Sequence, residues 1–362
     1  MITSAWKQCN LMKRTNRFVA AAAALMLALP AYAAKGPAGY LKRPDTWFSE
    51  AEAGKIAANI LAHQSTNGGW PKNIDTTTAA GRDGKQSAST FDNGATVDEL
   101  RFLARMFRAT REPAYAAAFD RGLDLILKAQ YPGGGWPQCH PPPRNYQRHV
   151  TFNDNVMVNL MNLLREIARD DLYDFVEPRR RAACEKAFSN GIRCILKCQI
   201  VVDGKPAGWC AQHDETSFEP RPGRAYELVS LSGCETVGIV RLLMSLDEPD
   251  AATKAAIAGA VDWLDQVKIT GRKVVEAKDD TAPGGVDKRL VEDSAASPLW
   301  ARFYEIGTNR PIFCGRDGVI RYGFGEIEHE RRNGYAWFGA WPQKLIEKEY
   351  PKWRESQPGK SR

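Results

Sequence analysis

Histidine is almost missing from this chain of 362 residues, which has only five. There is no His-Glu-x-x-His, no Cys-x-x-Cys pair, no Gly-x-Ser-x-Gly elbow, no phosphate loop and no Gly-x-Gly-x-x-Gly turn. These absences remove the usual signatures of zinc proteases, serine hydrolases, P-loop enzymes and dinucleotide-binding folds. Long apolar runs are missing too. The one concentrated run, Phe18 to Leu29, is too short to span a bilayer.

That run sits in a stretch that reads as a secretory signal. Lys13, Arg14 and Arg17 precede it, and Ala31-Tyr32-Ala33 supplies a small-residue cleavage site. The expected product is an exported protein, secreted or periplasmic, with no membrane attachment once residues 1–33 are removed. Removal takes away Lys7, Lys13, Arg14 and Arg17 and no acid. The formal charge then falls from +7 to +3, with 46 basic against 43 acidic residues. So mild a basic balance does not imply a nucleic-acid partner. Cysteines stand at 9, 139, 184, 194, 198, 210, 234 and 314. Seven remain after processing, an odd number, so at least one thiol is free or pairs between chains. Cys194 and Cys198 share a helix face near Cys210, but no histidine or Cys-x-x-Cys spacing supports zinc there.

What the chain does have is a repeat. Gly68-Gly-Trp-Pro-Lys-Asn73 recurs as Gly134-Gly-Trp-Pro-Gln-Cys139 and, more weakly, as Ala207-Gly-Trp-Cys210. Apolar spacing predicts a helix before each loop (53–62, 121–129, 187–198) and another after it (95–107, 156–168, 235–244). A further helix, 252–267, opens a unit whose remainder is irregular. Such hairpins either stack as an open solenoid or close into a ring, which gathers the ends of the second helices around a cleft. Residues 34–350 are expected to be one domain. Residues 271–298 read as a long loop. Short strands are expected at 311–314, 319–322, 326–331 and 335–338, then a last helix over 342–350 and a polar tail, 351–362.

Two matching stretches, Thr90-Phe-Asp-Asn-Gly-Ala-Thr96 and Thr151-Phe-Asn-Asp-Asn155, immediately precede second helices. Short acidic side chains there are ordinarily N-caps. Two of them at the same end of neighbouring helices would instead put Asp92 and Asp154 into one shared space. Such a pair needs a cation, a shared proton or a bound sugar. Trp70, Trp136 and Trp209 suit a sugar-lined groove, because flat rings stack on pyranose faces; equally, they could plug the hairpin ends. His213 lies in a site-like stretch, with a solvated loop histidine as the alternative. Arg224 is expected at the third unit's counterpart of the acid position. Arg302 and Arg316, in aromatic company, are candidates to grip carboxylates through the guanidinium fork.

These residues carry a resemblance that runs from about Gly68 to Leu345. Asn67-Gly-Gly-Trp-Pro-Lys-Asn73, the two Thr-Phe motifs, Trp209-Cys-Ala-Gln-His-Asp-Glu215, Arg224-Ala-Tyr-Glu227 and Trp300-Ala-Arg-Phe-Tyr304 together resemble the family-10 polysaccharide lyases, which are pectate lyases. The resemblance implies a mainly α fold, an (α/α) toroid with a small β-strand region near the C-terminus. It also implies calcium-assisted β-elimination on polygalacturonate or oligogalacturonides. Carried over by position, Asp92 and Asp154 look like the calcium-linked acids and Arg224 like the catalytic base. Arg302 and Arg316 look like substrate-carboxylate binders, and Lys72 is counted with the substrate-binding residues. Pro222-Gly223 before Arg224 is a local departure from the family pattern, which keeps Arg221 as a second choice for the base. Two other readings stay open: an inverting glycoside hydrolase using Asp92 and Asp154, and a carbohydrate-binding protein without activity.

Overall fold

The computed structural model describes residues 36–79 and 88–357. The expected signal, residues 1–33, lies outside them. Seven α-helices build the body: α1 (Ala51–Ala62), α2 (Val97–Thr110), α3 (Pro113–Ala129), α4 (Val156–Arg169), α5 (Pro178–Cys198), α6 (Glu235–Met244) and α7 (Ala251–Gln266). Their starts follow local chemistry. Pro113 and Pro178 open α3 and α5, where a missing N–H costs nothing. Asp250 caps α7 through the Thr253 amide, and Thr96 with Glu99 forms a capping box on α2. The contacts sort the helices into two layers. α2, α4 and α6 pack side by side as the inner layer, and α1, α3, α5 and α7 form the outer one. The fold is mainly α, in the hairpin arrangement of an (α/α) toroid. The described residues fall in one compact unit.

The Gly-Trp loops explain why the units stack. Gly68 and Gly134 adopt φ of 98° and 97°, and a Cβ on either would collide with the carbonyl of Arg121 or Asn190 on the next outer helix. Trp70, Trp136 and Trp209 are fully buried. Their indole N–H groups donate to the carbonyls of Ile60 (2.7 Å), Ile126 (2.9 Å) and Ile195 (2.8 Å) near the ends of α1, α3 and α5. These rings are therefore hairpin plugs, and the sugar-groove expectation for Trp70, Trp136 and Trp209 is corrected. No ring face is left for a pyranose. A fourth plug went unread: Trp300 donates to Leu264 at the end of α7 (2.7 Å). Three glutamines stitch the units together. Each amide reaches its own loop and the next outer helix: Gln64 to Gly68 and Ala118, Gln130 to Gly134 and Ala187, Gln199 to Ala207 and Ala256.

The stretch expected as a long loop is an antiparallel hairpin, Arg272–Lys278 paired with Val286–Glu292 in register Val275↔Arg289. It interrupts the fourth unit between α7 and Trp300. Its faces are mostly solvated and laced with ion pairs such as Lys273–Asp293 (2.7 Å) and Arg289–Asp279 (2.8 Å), so apolar alternation is weak. Phe313–Cys314 pairs with Ile320–Arg321 across the Gly315–Gly318 turn, as expected. The strand expected over 326–331 is instead a 3-10 turn and a short helix, α8 (His329–Gly334). The last helix also runs further than expected: a π-turn over Leu345–Glu349 continues into α9 (Tyr350–Ser356), so the polar tail is helical to 356. These C-terminal pieces enclose a second, smaller core around Phe303, Phe313, Phe324 and Trp337. The candidate site lies where this core meets the N-terminal ends of the inner helices.

Candidate active site

Equivalent positions in the three complete units are fixed by one backbone bond. The amides of Thr90, Thr151 and Ser232 donate to the carbonyls of Trp70, Trp136 and Trp209 (3.0, 3.0 and 2.8 Å). Three residues further on stand Asn93, Asp154 and Glu235. Asn93 and Asp154 share a left-handed backbone, φ 54° and 50°, a conformation that Asn and Asp tolerate better than most side chains. Two consequences follow. Asp92 and Asp154 are not at the same position of the repeat, since the counterpart of Asp92 is Asn153. The third unit's counterpart of Asp154 is Glu235, not Arg224, which lies eleven residues upstream in an irregular excursion. Placing Arg224 there from the sequence was an error of register.

Asp92 is buried. Lys72 and the Gln138 amide (2.6 Å) both bond its Oδ2, while Oδ1 is buried with no partner. Lys72 and Gln138 occupy matching places, each two residues after a plug tryptophan; Arg302 stands likewise after Trp300. Asp154 keeps 34 % of its side chain exposed and accepts from Asn153 (2.8 Å) and Arg302 (3.3 Å). Burial, with the negative charges of Glu235 and Asp92 adding to it, raises the Asp154 carboxyl above its ordinary value against the pull of Arg302. The two acids expected to share a space are therefore near enough to sense each other.

Arg302 is only 8 % exposed. It bonds Glu235 (2.5 Å) as well as Asp154, its ring neighbour is Tyr335 (4.9 Å), and its Nε is buried without a partner. Burial works against its charge, yet Glu235, Tyr335 and Asp154 hold it above the ordinary arginine value. It meets acids of its own chain, so the fork expected to grip a substrate carboxylate is already engaged by Glu235 and Asp154. Glu235, buried and accepting from Ser232 and Arg302, is the site residue that sequence reasoning missed. The available signal was its spacing from Trp209.

Arg224 is 40 % exposed. Its Nε and Nη2 form a fork with Glu227 (2.9 and 2.5 Å), and its backbone amide bonds the same carboxylate (2.9 Å). It also stacks over Tyr226 (5.0 Å) and Tyr335 (5.6 Å). The Glu227 bond raises the Arg224 value above that of an ordinary arginine, against the effect of burial. Although burial opposes it, the fork holds buried Glu227 below the ordinary carboxylate range. Tyr335 links the groups, donating to Glu227 (2.7 Å) while flanking both arginines. The Tyr146 phenol, raised mainly by burial, lies within electrostatic reach of Arg224, Glu227, Lys72 and Asp92. Within the Pro222-Gly223 departure, the glycine has a steric reason, because a Cβ on Gly223 would meet Glu227 and Gln212.

The other candidates lie apart from this circuit. Arg221 is in the three-stranded sheet 150–151, 212–213 and 220–221, paired with Asp214 (3.0 Å). Arg316, 64 % exposed, forks to Glu330 at 3.1 and 2.9 Å. Glu330 also bonds Arg331, which stacks over Tyr226 (4.6 Å) and so ties this turn to the Arg224 side. His213 is fully buried between the Cys210 amide (3.0 Å) and the Phe218 carbonyl (2.8 Å), and burial pushes it down to about 4. It is a structural, neutral histidine rather than a site or a solvated loop residue. Among the described residues, three ligand-type side chains converge only at His149, Asp214 and Glu215, and Arg148 and Arg221 already neutralise these acids. All seven cysteines there are free thiols.

Comparison with known proteins gives the family and supports the fold. Residues 64–346 match the pectic acid lyase family. A family 10 polysaccharide lyase from Cellvibrio cellulosa is similar at 31 % identity and TM-score 0.74, covering 88 % of this chain and 96 % of that one. A mutant of a family 10 polysaccharide lyase from Cellvibrio cellulosa, in complex with trigalacturonic acid, matches with the same identity and TM-score over 88 % and 97 %. No curated protein sequence matches. Its family match covers most of the chain and its structural likeness nearly all of the described fold, and on both grounds the chain belongs to the pectic acid lyases and is a pectate lyase of the family 10 type.

Proposed function

We propose that this pectate lyase cleaves polygalacturonate and oligogalacturonides by β-elimination, with Asp92 and Asp154 holding a calcium ion and Arg224 as the base. The observation that carries the metal assignment is Asp92 Oδ1, a buried carboxylate oxygen with no hydrogen-bond partner, on an acid whose charge reaches the partly exposed carboxylate of Asp154. An orphaned hard oxygen within electrostatic reach of a second acid fits a cation that takes six to eight oxygen ligands, the remainder coming from substrate and water. When bound, calcium supplies positive charge beside the C6 carboxylate of the sugar, where negative charge builds as C5 loses its proton.

The chain's own residues do the rest. Lys72 and Gln138 fix one oxygen of Asp92 and leave the other free. Arg302, locked between Glu235 and Asp154, orients Asp154 and adds a buried positive charge that need not reorganise during reaction. Arg224 removes the C5 proton; the C5–H electrons form the C4–C5 double bond as the C4–O4 bond breaks, and the departing oxygen takes a proton from water. Arg224 is supported over Arg221 by its contact with the Tyr335 circuit, against Arg221's place in the peripheral sheet. Arg316, exposed at the turn after Phe313–Cys314, is positioned to pair with carboxylates further along a chain by exchanging Glu330. The likeness to a trigalacturonic acid complex supports oligogalacturonide binding. The leader-like residues 1–33 support export, with 34–350 as the catalytic domain.

The test is ultraviolet detection of product on polygalacturonate, with calcium and then with chelator. Unsaturated uronides that disappear with chelator are expected. Saturated ends would mean hydrolysis by Asp92 and Asp154, and full activity in chelator would overturn the metal assignment.

A further inference from the structure

We infer that Glu227 is the positioning residue of the base: it fixes Arg224 so that Nη1 is the nitrogen presented to substrate. The inference rests on the reading of Arg224 as base. Glu227 is buried and makes three bonds to Arg224, at the backbone amide, Nε and Nη2. Among the described residues Nη1 has no hydrogen-bond partner. A planar guanidinium gripped along its Nε–Nη2 edge has its Nη1 direction fixed. Glu227 is itself anchored by the Tyr335 hydroxyl (2.7 Å) and pressed against Gly223, where any Cβ would intrude. The tyrosine rings of 226 and 335 on the guanidinium limit rotation out of the fork.

The arrangement is that of a base oriented by a buried acid, with arginine where imidazole is usual. In the step, neutral Nη1 takes the C5 proton and becomes guanidinium, and its new charge is balanced by the Glu227 carboxylate already in place. The carboxylate thus disfavours the neutral base before reaction and stabilises the cation formed by it. Glu227 therefore trades population of the reactive form, which calls for alkaline conditions, against orientation and strength of the base.

The two effects separate in a pH profile. Glu227→Gln keeps the shape and removes the charge. An opposite charge within hydrogen-bond distance shifts a partner by about one to three pH units. The alkaline rise in kcat should therefore move to lower pH by about one unit or more, while the plateau falls at least tenfold and KM changes little. A merely structural glutamate would lower activity in proportion to folded protein and leave the profile in place. Should Glu227→Gln fail to fold, as judged by circular dichroism, Tyr335→Phe removes the anchor alone, and a tenfold loss of kcat at unchanged KM is expected. An unmoved profile and plateau, or an unchanged kcat in Tyr335→Phe where that variant is used, overturns the inference. Arg224→Lys is run alongside. Loss of kcat there with an unmoved Glu227→Gln profile overturns only the role of Glu227; retention of kcat in Arg224→Lys overturns the base reading and this inference with it.

Discussion

Replacing Trp136 by phenylalanine separates a core plug from a sugar platform. Phenylalanine keeps a flat ring, so a stacking role would survive in weakened form; it lacks the indole N–H that bonds the Ile126 carbonyl at 2.9 Å. That carbonyl sits near the C-terminal end of α3, deep in the hairpin, and leaving it unpaired costs about 1–3 kcal/mol. The ring is also smaller by about 40 Å³, and at about 24 cal/mol per Å³ the unfilled space adds roughly 1 kcal/mol. The expected loss is then about 2–4 kcal/mol. For a unit of this size, with roughly 2 °C per kcal/mol, Tm should fall by about 4–8 °C. The assay is a thermal melt followed by circular dichroism at fixed scan rate, paired with steady-state kinetics on polygalacturonate well below the melt. KM and kcat should stay within about twofold of the parent. An unchanged Tm with KM raised severalfold would show that the ring faces sugar, and the reading of all four tryptophans as plugs would fail.

Asp92→Ala and Asp154→Ala should each reduce activity more than about a hundredfold at saturating calcium, because a lost charge-stabilising group costs about 3–4 kcal/mol in the barrier; near-parental rates in either would remove that acid from the site. Calcium affinity, read by titration calorimetry, should weaken as pH falls through the raised value of Asp154, since only its ionised form binds the cation. Affinity that stays flat until the ordinary aspartate range would contradict the raised value. Arg224→Lys should collapse kcat with little change in KM, since a displaced lysine leaves the C5 proton outside the roughly 2.6–3.2 Å needed for transfer. If Arg221→Lys loses kcat instead, the base is Arg221. De-esterified chains should be cleaved faster than fully methylated pectin, because exposed Arg316 needs free carboxylates, and equal rates on both would count against that pairing.

The helical hairpins were legible because their apolar spacing is strong; α6 begins and ends where the periodicity placed it. The tryptophans were located but their role stayed open between sugar platform and plug, since a ring that stacks on sugar and one that plugs a hairpin have the same sequence signature. Only their fully buried surfaces and indole bonds tell them apart. Glu235 stayed hidden because its kinship with Asp154 is written in a backbone bond to Trp209, and the motif around it, Ser232-Gly-Cys-Glu235, shares no residue with Thr151-Phe-Asn-Asp154. The hairpin over 272–292 was invisible for a different reason. With both faces largely in water, cross-strand charges hold it together, and charges leave no period to read. Asp92 and Asp154 could be proposed as neighbours from the sequence, but the unequal states of their oxygens could not.

The spacing between the tryptophan-bonded residue and the start of each inner helix has a consequence for the direction of a bound polymer. From Thr90 to Val97, from Thr151 to Val156 and from Ser232 to Glu235, the intervening segment shortens unit by unit. Three identical units would give a mouth that looks the same after each rotation, and a threaded chain could find equivalent footing at every step. A progressively shortened series has a first and a last member and no such rotation. Polygalacturonate is itself a directional polymer, with distinguishable ends. The three entries to the inner helices are therefore not interchangeable, and a directional chain lying across them would meet a different length of backbone at each.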